Sequence, residues 1–167
     1  RLQKMTDLLN HVYTIEYEVT GSELAAMVTE YRLIQQYRPK LNQQLEVHER
    51  TTRYGNLKNF IVILPSSIEE SLELFFVKDG LPLQRYEILR DAVNFSGVER
   101  ILDTNIQNHN VLTDIEMGEM EIVLSWVEAN KDQVNYINMD AVSGKEACLK
   151  LMRDYLRDEE TFQKKHF

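Results

Sequence analysis

Residues 20–42 read TGSELAAMVTEYRLIQQYRPKLN, and the interpretation of the whole chain depends on this stretch. Thr20 and Glu23 have the spacing of a capping box, in which a threonine side chain accepts from a backbone N–H and a glutamate side chain bonds back. Pro39 lacks the N–H that a helix needs and biases the preceding residue toward an extended conformation. The sequence therefore predicts a helix over residues 21–37.

One acidic residue interrupts an apolar face of this predicted helix. At about 100° per residue, Glu30 falls near the middle of that face. The apolar side chains around it are Ala26, Met27, Leu33, Ile34 and Tyr37. Burying an unpaired carboxylate is costly, so the placement needs an explanation. Either Glu30 forms a buried ion pair, or the helix is rotated so that Glu30 points into solvent.

Charge divides the chain into two unequal parts. The net charge is −8, and residues 61–167 carry the acidic excess, whereas residues 1–60 are nearly balanced. A nucleic-acid-binding chain normally presents a basic face, so DNA is expected to contact only the first part. The acidic part is expected to bind a protein partner, if it binds a macromolecule at all.

Cysteine content and hydropathy limit the class of protein. The single cysteine, Cys148, excludes an intrachain disulfide and a multi-cysteine zinc site. The sequence has neither an apolar run long enough to span a bilayer nor a signal-peptide pattern. These features fit a cytoplasmic protein. The chain begins with Arg1 rather than Met, so we expect it to be a fragment of a longer protein.

The remaining patterns predict an α+β fold. Alternating apolar residues predict a strand over 12–19, after a helical pattern over 1–11. Three further strands are predicted over 59–65, 71–77 and 83–89, the last two joined by an Asp79-Gly80 hairpin signal, which indicates a small antiparallel sheet. Both faces of that sheet are expected to be covered, because Phe75 lies on the side opposite to Leu74 and Phe76. The C-terminal region is mostly helical; helices are predicted over 90–107, 114–130 and 143–157, with a short strand over 134–139.

The pattern around Glu30 resembles a known nuclease family. Residues 22–42 keep the order S-E-L-A-A, then E, L-I, P and N that is found in the C-terminal half of the GIY-YIG nuclease domain. That half-domain occurs in UvrC-type excinuclease subunits and fused to polymerase III epsilon-like exonucleases. Residues 12–19 resemble the strand that leads into the helix. The resemblance covers residues 1 to about 45 and does not include the GIY…YIG pair or the catalytic arginine.

The resemblance implies site residues, a cofactor and a division into domains. Glu30 would be the ligand of a catalytic Mg²⁺ or Mn²⁺ ion, and Asn42 a second catalytic residue. The residues expected to contact DNA are Arg32, Arg38 and Lys40 in this segment, and Arg50 and Arg53 in the basic cluster of the connector that follows it. Residues 1–45 would form a partial GIY-YIG-like helix–strand–helix unit, 46–58 a connector, and 59–167 an acidic α+β accessory domain.

Two functional hypotheses follow from these expectations. In the first, the chain is part of a metal-dependent DNA endonuclease acting in DNA repair or processing, inactive without the missing N-terminal half. In the second, it is a non-catalytic interaction module that is appended to, or derived from, such a nuclease. The residues ahead of Arg1 would distinguish the two hypotheses, because only the first requires a GIY…YIG pair there.

Overall fold

A four-stranded antiparallel sheet forms the centre of the fold, which is α+β as predicted. The computed structural model describes residues 6, 10, 12–39, 58–92, 95–104 and 111–163. The strands are β1 (Phe60–Pro65), β2 (Ser71–Val77), β3 (Gln84–Leu89) and β4 (Asn135–Asn138), in the spatial order β3-β2-β1-β4. The helices are α1 (Glu23–Tyr37), α2 (Ser96–Asp103), α3 (Asp114–Asn130), α4 (Lys145–Arg157) and α5 (Glu159–Gln163).

Helices cover both faces of the sheet, because strands β1 and β2 are apolar on both sides. Phe75 and Val77 project into a core shared with helices α1 and α3. Leu74 and Phe76 project into a second core, shared with α2 and α4. Phe75 is fully buried, so the prediction that both faces are covered is confirmed.

Most predicted elements after residue 58 are confirmed. Strands β1, β2 and β3 agree with the three predicted strands to within one residue, and β4 pairs with β1. Helices α3 and α4 also lie where they were predicted. The start of α2 was predicted too early: Arg90 and Asp91 form a turn, and the helix begins at Ser96. The backbone N–H of Arg90 instead bonds to the carbonyl of Glu70, 2.7 Å away, which ties the end of β3 to the turn between β1 and β2.

The predicted cap of helix α1 was wrong by two residues. Ser22, not Thr20, is the N-cap, and its hydroxyl accepts from the backbone N–H of Ala25 at 3.2 Å. The carboxylate of Glu23 accepts a bond from the indole of Trp126 in α3 instead of bonding back. The helix ends at Tyr37 as predicted. Arg38, however, is left-handed rather than extended, since this conformation lets its N–H bond to the carbonyl of Ile34 at 2.8 Å.

The face of helix α1 that was predicted to be buried is in fact the outer face. The inner face carries Leu24, Ala25, Val28 and Tyr31, all of them buried. The Tyr31 ring lies where a Cβ on Gly118 would be, so α1 and α3 pack closely at this point. Because 3.6 residues make one turn, the face with Glu30 at its centre is turned away from the core. Glu30 is exposed, so the rotated-helix explanation of its placement is the one that the structure supports.

A fully buried carboxylate connects the start of helix α1 to the sheet. Glu73 in β2 accepts bonds from the hydroxyl of Ser22 and from the guanidinium of Arg85 in β3. Gly21 has to be glycine at this point, since a Cβ there would overlap the Glu73 carboxylate. Ser67, in the turn after β1, bonds through its N–H to the carbonyl of Gly21 at 2.6 Å. The position of helix α1 therefore depends on these polar contacts as well as on apolar packing.

The strand predicted over residues 12–19 is absent. The segment has no regular secondary structure and lies outside the sheet, with all of its residues exposed. An isolated strand gains neither ladder hydrogen bonds nor side-chain burial, and no sheet edge within the described residues receives this one. Of the helix predicted over residues 1–11, only Thr6, which is helical, and Asn10, which is in a turn, are described.

The predicted domain boundaries fall at residues 45–46 and 58–59, and residues 40–57 are outside the described part of the chain. On either side of this gap, α1 and the sheet share one core. No helix in the described residues combines the length and the apolar character that crossing a membrane requires.

A complete capping box at the start of helix α3 supports a stability prediction. Thr113 accepts from the Glu116 N–H at 3.2 Å, and the Glu116 carboxylate accepts from the Thr113 N–H at 2.7 Å. We expect Thr113→Ala to lower the free energy of unfolding by about 1 kcal/mol, as measured by urea denaturation. The exposed Thr14 supplies a control, Thr14→Ala, that should change nothing. If Thr113→Ala had the same free energy of unfolding as the wild type, the assignment of Thr113 as the N-cap would be contradicted.

The same capping box should make the stability depend on pH. Bonds from the Thr113 N–H and hydroxyl lower the pKa of Glu116 below its ordinary value of 4.5. A carboxylate with a lowered pKa stabilises the fold above pH 4.5, and this contribution is lost as the pH falls through the lowered value. The difference in stability between the wild type and Thr113→Ala should therefore be largest near neutral pH and shrink in acid. A difference that stays constant with pH would contradict this assignment.

Candidate metal site and nucleic-acid interface

An open groove runs along the outer face of helix α1, with Glu30 in its wall. Residues that precede the helix and residues at its end form the other walls, and the cavity volume is about 480 Å³. The groove is lined by Glu18, Thr20, Ala26, Thr29, Glu30, Leu33, Ile34, Tyr37 and Pro39. The groove exists because α1 has two apolar faces and uses only one of them for the core.

The Glu30 carboxylate is available to a ligand in this groove. It is exposed, and in the described part of the chain it has neither a hydrogen-bond nor an ion-pair partner. The buried ion pair, which was one explanation for its position, is therefore not present among these residues. Glu18 lines the same groove and adds a second carboxylate.

The donor atoms around Glu30 suit a hard cation. The groove offers the carboxylates of Glu18 and Glu30 and the hydroxyls of Thr20 and Thr29. Mg²⁺ prefers such oxygen ligands, keeps several waters and commonly takes only one or two protein carboxylates. Across residues 12–39, 58–92, 95–104 and 111–163, no group of three or more His, Cys, Asp or Glu side chains could hold a metal ion.

Arg32, predicted to contact DNA, forms an ion pair within the protein. Its Nε and Nη2 donate to the two carboxylate oxygens of Glu119 in α3, at 2.5 and 2.7 Å. Glu119 is buried, and this pair joins α1 to α3. The hydrogen bond to Glu119 raises the pKa of Arg32. Much of the Arg32 charge is therefore neutralised inside the protein.

The other predicted site residues divide into one that is described and four that are not. Arg38 is exposed at the end of α1, next to Pro39 in the groove wall. The residues Lys40, Asn42, Arg50 and Arg53 lie outside the described residues.

Two groove residues that the sequence analysis did not select are Glu18 and Thr29. Thr29 could have been identified as a groove residue, because it is next to Glu30 on a helix that has a second apolar face. For Glu18 there was no local signal, because its position next to the helix results from the path of the chain before Thr20. That path is fixed by the bond from the Ser67 hydroxyl to the Thr20 carbonyl at 2.9 Å.

Comparisons of the chain with protein-family models, with curated proteins and with solved structures found no match.

Proposed function

We propose that this chain is part of a metal-dependent DNA endonuclease of the GIY-YIG kind, which acts in DNA repair or processing in the cytoplasm. The observation that carries the proposal is Glu30, an exposed carboxylate in a groove, without a partner among the described residues. The resemblance of residues 22–42 to the metal-binding half of that nuclease domain gives this carboxylate a role.

Phosphodiester hydrolysis assigns a task to each side chain of the site. A bound Mg²⁺ or Mn²⁺ ion would supply positive charge to the scissile phosphate and its leaving oxygen. Glu30 would hold that ion, with Glu18 as a second ligand or a ligand to its water. Asn42 would orient a water molecule. The residues proposed to contact the DNA backbone are Arg38, Lys40, Arg50 and Arg53, with Arg32 acting mainly through its ion pair to Glu119.

The proposal predicts that the 167-residue chain alone does not cut DNA. The tyrosine and arginine groups that position and activate water in the family belong to the GIY…YIG half, and this sequence has no such pair. We expect no nicking of supercoiled plasmid with Mg²⁺ or Mn²⁺ at any enzyme concentration that gives a clean background. Nicking that copurifies with the chain and disappears in Glu30→Gln would contradict the prediction.

A second candidate function is a non-catalytic interaction module. The observation in its favour is that residues 12–19 and the outer face of α1 leave a large apolar surface exposed. The acidic C-terminal region would be a further surface for binding a protein. The two candidates differ in one accessible respect. If the chain is part of a nuclease, any residues that precede Arg1 in the gene should contain a GIY…YIG pair and an arginine. If it is an interaction module, they need not contain these motifs.

A further inference from the structure

Residues 12–19 carry large apolar side chains that are directed into solvent. The four apolar side chains and their exposed fractions are Tyr13 at 94%, Ile15 at 84%, Tyr17 at 90% and Val19 at 76%. They alternate with the polar residues Thr14, Glu16 and Glu18. A period of two residues is the pattern of a strand that buries one face and leaves the other face to polar contacts.

The backbone of this segment also lacks hydrogen-bond partners among the described residues. Among the described residues, the N–H and carbonyl groups of residues 12–19 make no hydrogen bond, whereas the carbonyls of Thr20 and Gly21 accept from Ser67. In the described part of the chain, the segment is thus anchored at its C-terminal end and unpaired along its length. An unpaired row of N–H and carbonyl groups, next to an apolar row of side chains, is a template for another strand.

We propose that residues 12–19 are a docking strand, to which a protein partner adds a β-strand of its own. Main-chain hydrogen bonds would supply affinity, and the alternating side chains would supply specificity. The partner strand would place apolar residues opposite Tyr13, Ile15, Tyr17 and Val19. This inference does not depend on a metal at Glu30 and goes beyond the proposed nuclease function.

Charge identifies the polar face of the partner strand as basic. Glu16 and Glu18 lie on the polar face of the segment, and Glu30 is in the groove beside Glu18. Arg32, the first cationic residue after the segment in sequence, is paired with Glu119. Opposite charges on directly facing strand residues stabilise a sheet, and like charges destabilise it. A strand with Lys or Arg opposite the two glutamates therefore fits this surface.

A second copy of the chain fits this surface less well than a basic partner. In the antiparallel register that sets all four apolar side chains opposite one another, Tyr13 faces Val19 and Ile15 faces Tyr17. The same register places Glu16 directly opposite the Glu16 of the other copy. Two facing glutamates destabilise the pair, so the charge pattern selects against self-association through this strand.

Two synthetic peptides test the proposal on the complete 167-residue chain. The first, VTVKVKVTV, has lysines on its polar face; the second, VTVEVEVTV, differs only in carrying glutamates there. We expect fluorescence anisotropy to show binding of the lysine peptide at least about tenfold tighter than binding of the glutamate peptide at low salt. This preference should shrink in 1 M NaCl, because salt screens exposed charges.

Substitutions in the exposed segment then locate the contact. Ile15→Thr combined with Tyr17→Thr should abolish binding of the lysine peptide. The matched control, Ile115→Thr combined with Met117→Thr, removes two exposed apolar side chains from helix α3 and should leave binding unchanged. Glu16→Lys combined with Glu18→Lys should reverse the preference, so that the glutamate peptide binds better.

Three results would overturn the proposal. One is the absence of binding, or equal binding of the two peptides by the wild type. Another is unchanged binding by the Ile15→Thr, Tyr17→Thr variant. The last is a concentration-dependent dimer of the chain that this variant abolishes, seen by analytical ultracentrifugation, since the strand would then dock with a second copy.

Discussion

Glu30→Gln is expected to abolish DNA nicking by a form of the protein that contains a GIY…YIG pair. The amide keeps the size of the side chain but loses the charge that holds a divalent cation. If the cation supplies about 4 kcal/mol of transition-state stabilisation, the nicking rate with Mg²⁺ or Mn²⁺ should fall by about a thousandfold. The stability should not change, because Glu30 is exposed and has no partner among the described residues. Thermal unfolding midpoints should agree within about 2 °C.

The control for this prediction is another exposed glutamate. Glu69 lies in the turn between β1 and β2, outside the groove, and Glu69→Gln should keep full activity. If Glu30→Gln instead lowered activity and thermal stability together, Glu30 would be a structural residue. If neither fell, Glu30 would have no part in cleavage.

Arg85→Met is expected to destabilise the fold strongly. Glu73 is fully buried, and Arg85 provides the positive charge that compensates its carboxylate. Removing one partner of a buried ion pair leaves an uncompensated charge in the core. We expect a loss of about 3 kcal/mol in the free energy of unfolding, near the low end of the usual range, because Arg85 is itself partly exposed. Urea denaturation measures this loss as a lower midpoint at constant slope.

Two further variants separate the buried charge from a general effect of removing a cation. Lys131→Met breaks an exposed pair with Glu128 and should cost less than about 0.5 kcal/mol. The double variant Glu73→Met with Arg85→Met should recover much of the lost stability, since apolar replacement of a whole buried pair is commonly tolerated. An Arg85→Met cost as small as that of Lys131→Met would show that the pair does not support the position of helix α1.

The sheet and helix α3 could be predicted because their signals are local. Strand β2 is buried on both faces and is followed by Asp79 and Gly80, and Gly80 adopts a positive φ of 75° that suits glycine. Helix α3 begins at a complete capping box, so its first residue followed from Thr113 and Glu116. Such signals depend on neighbours in sequence and need no knowledge of the tertiary fold.

The orientation of helix α1 could not be predicted because the helix has two apolar faces. Hydrophobic periodicity favoured the face around Glu30 as the buried one. The core selected the other face, where Tyr31 packs at Gly118 and Arg32 pairs with Glu119. Both contacts come from α3, far away in sequence. The helix could therefore be predicted from its local signals, but its rotation could not, and this rotation places Glu30 in an open groove.

The same limit on prediction from local sequence applies to strands, as residues 12–19 and Glu73 show. The alternation over 12–19 is that of a strand, yet a strand forms only where a sheet edge receives it, and pairing is not encoded within the segment. Glu73 lies in register with Glu87, and its compensating cation, Arg85, is diagonal to it on β3. The reason for a glutamate in a buried strand became clear only once the strands were paired and Ser22 was placed beside them.

The most direct test of the central claim is to locate a bound cation on the chain. In ¹H–¹⁵N NMR spectra, small amounts of Mn²⁺ should first broaden the amide signals of Thr20 and of Thr29 to Leu33, around the Glu30 carboxylate. The same titration of Glu30→Gln should leave those signals sharp. Broadening that is centred on the acidic start of α3 at Asp114 and Glu116, or that is the same in the wild type and Glu30→Gln, would contradict a metal site at Glu30.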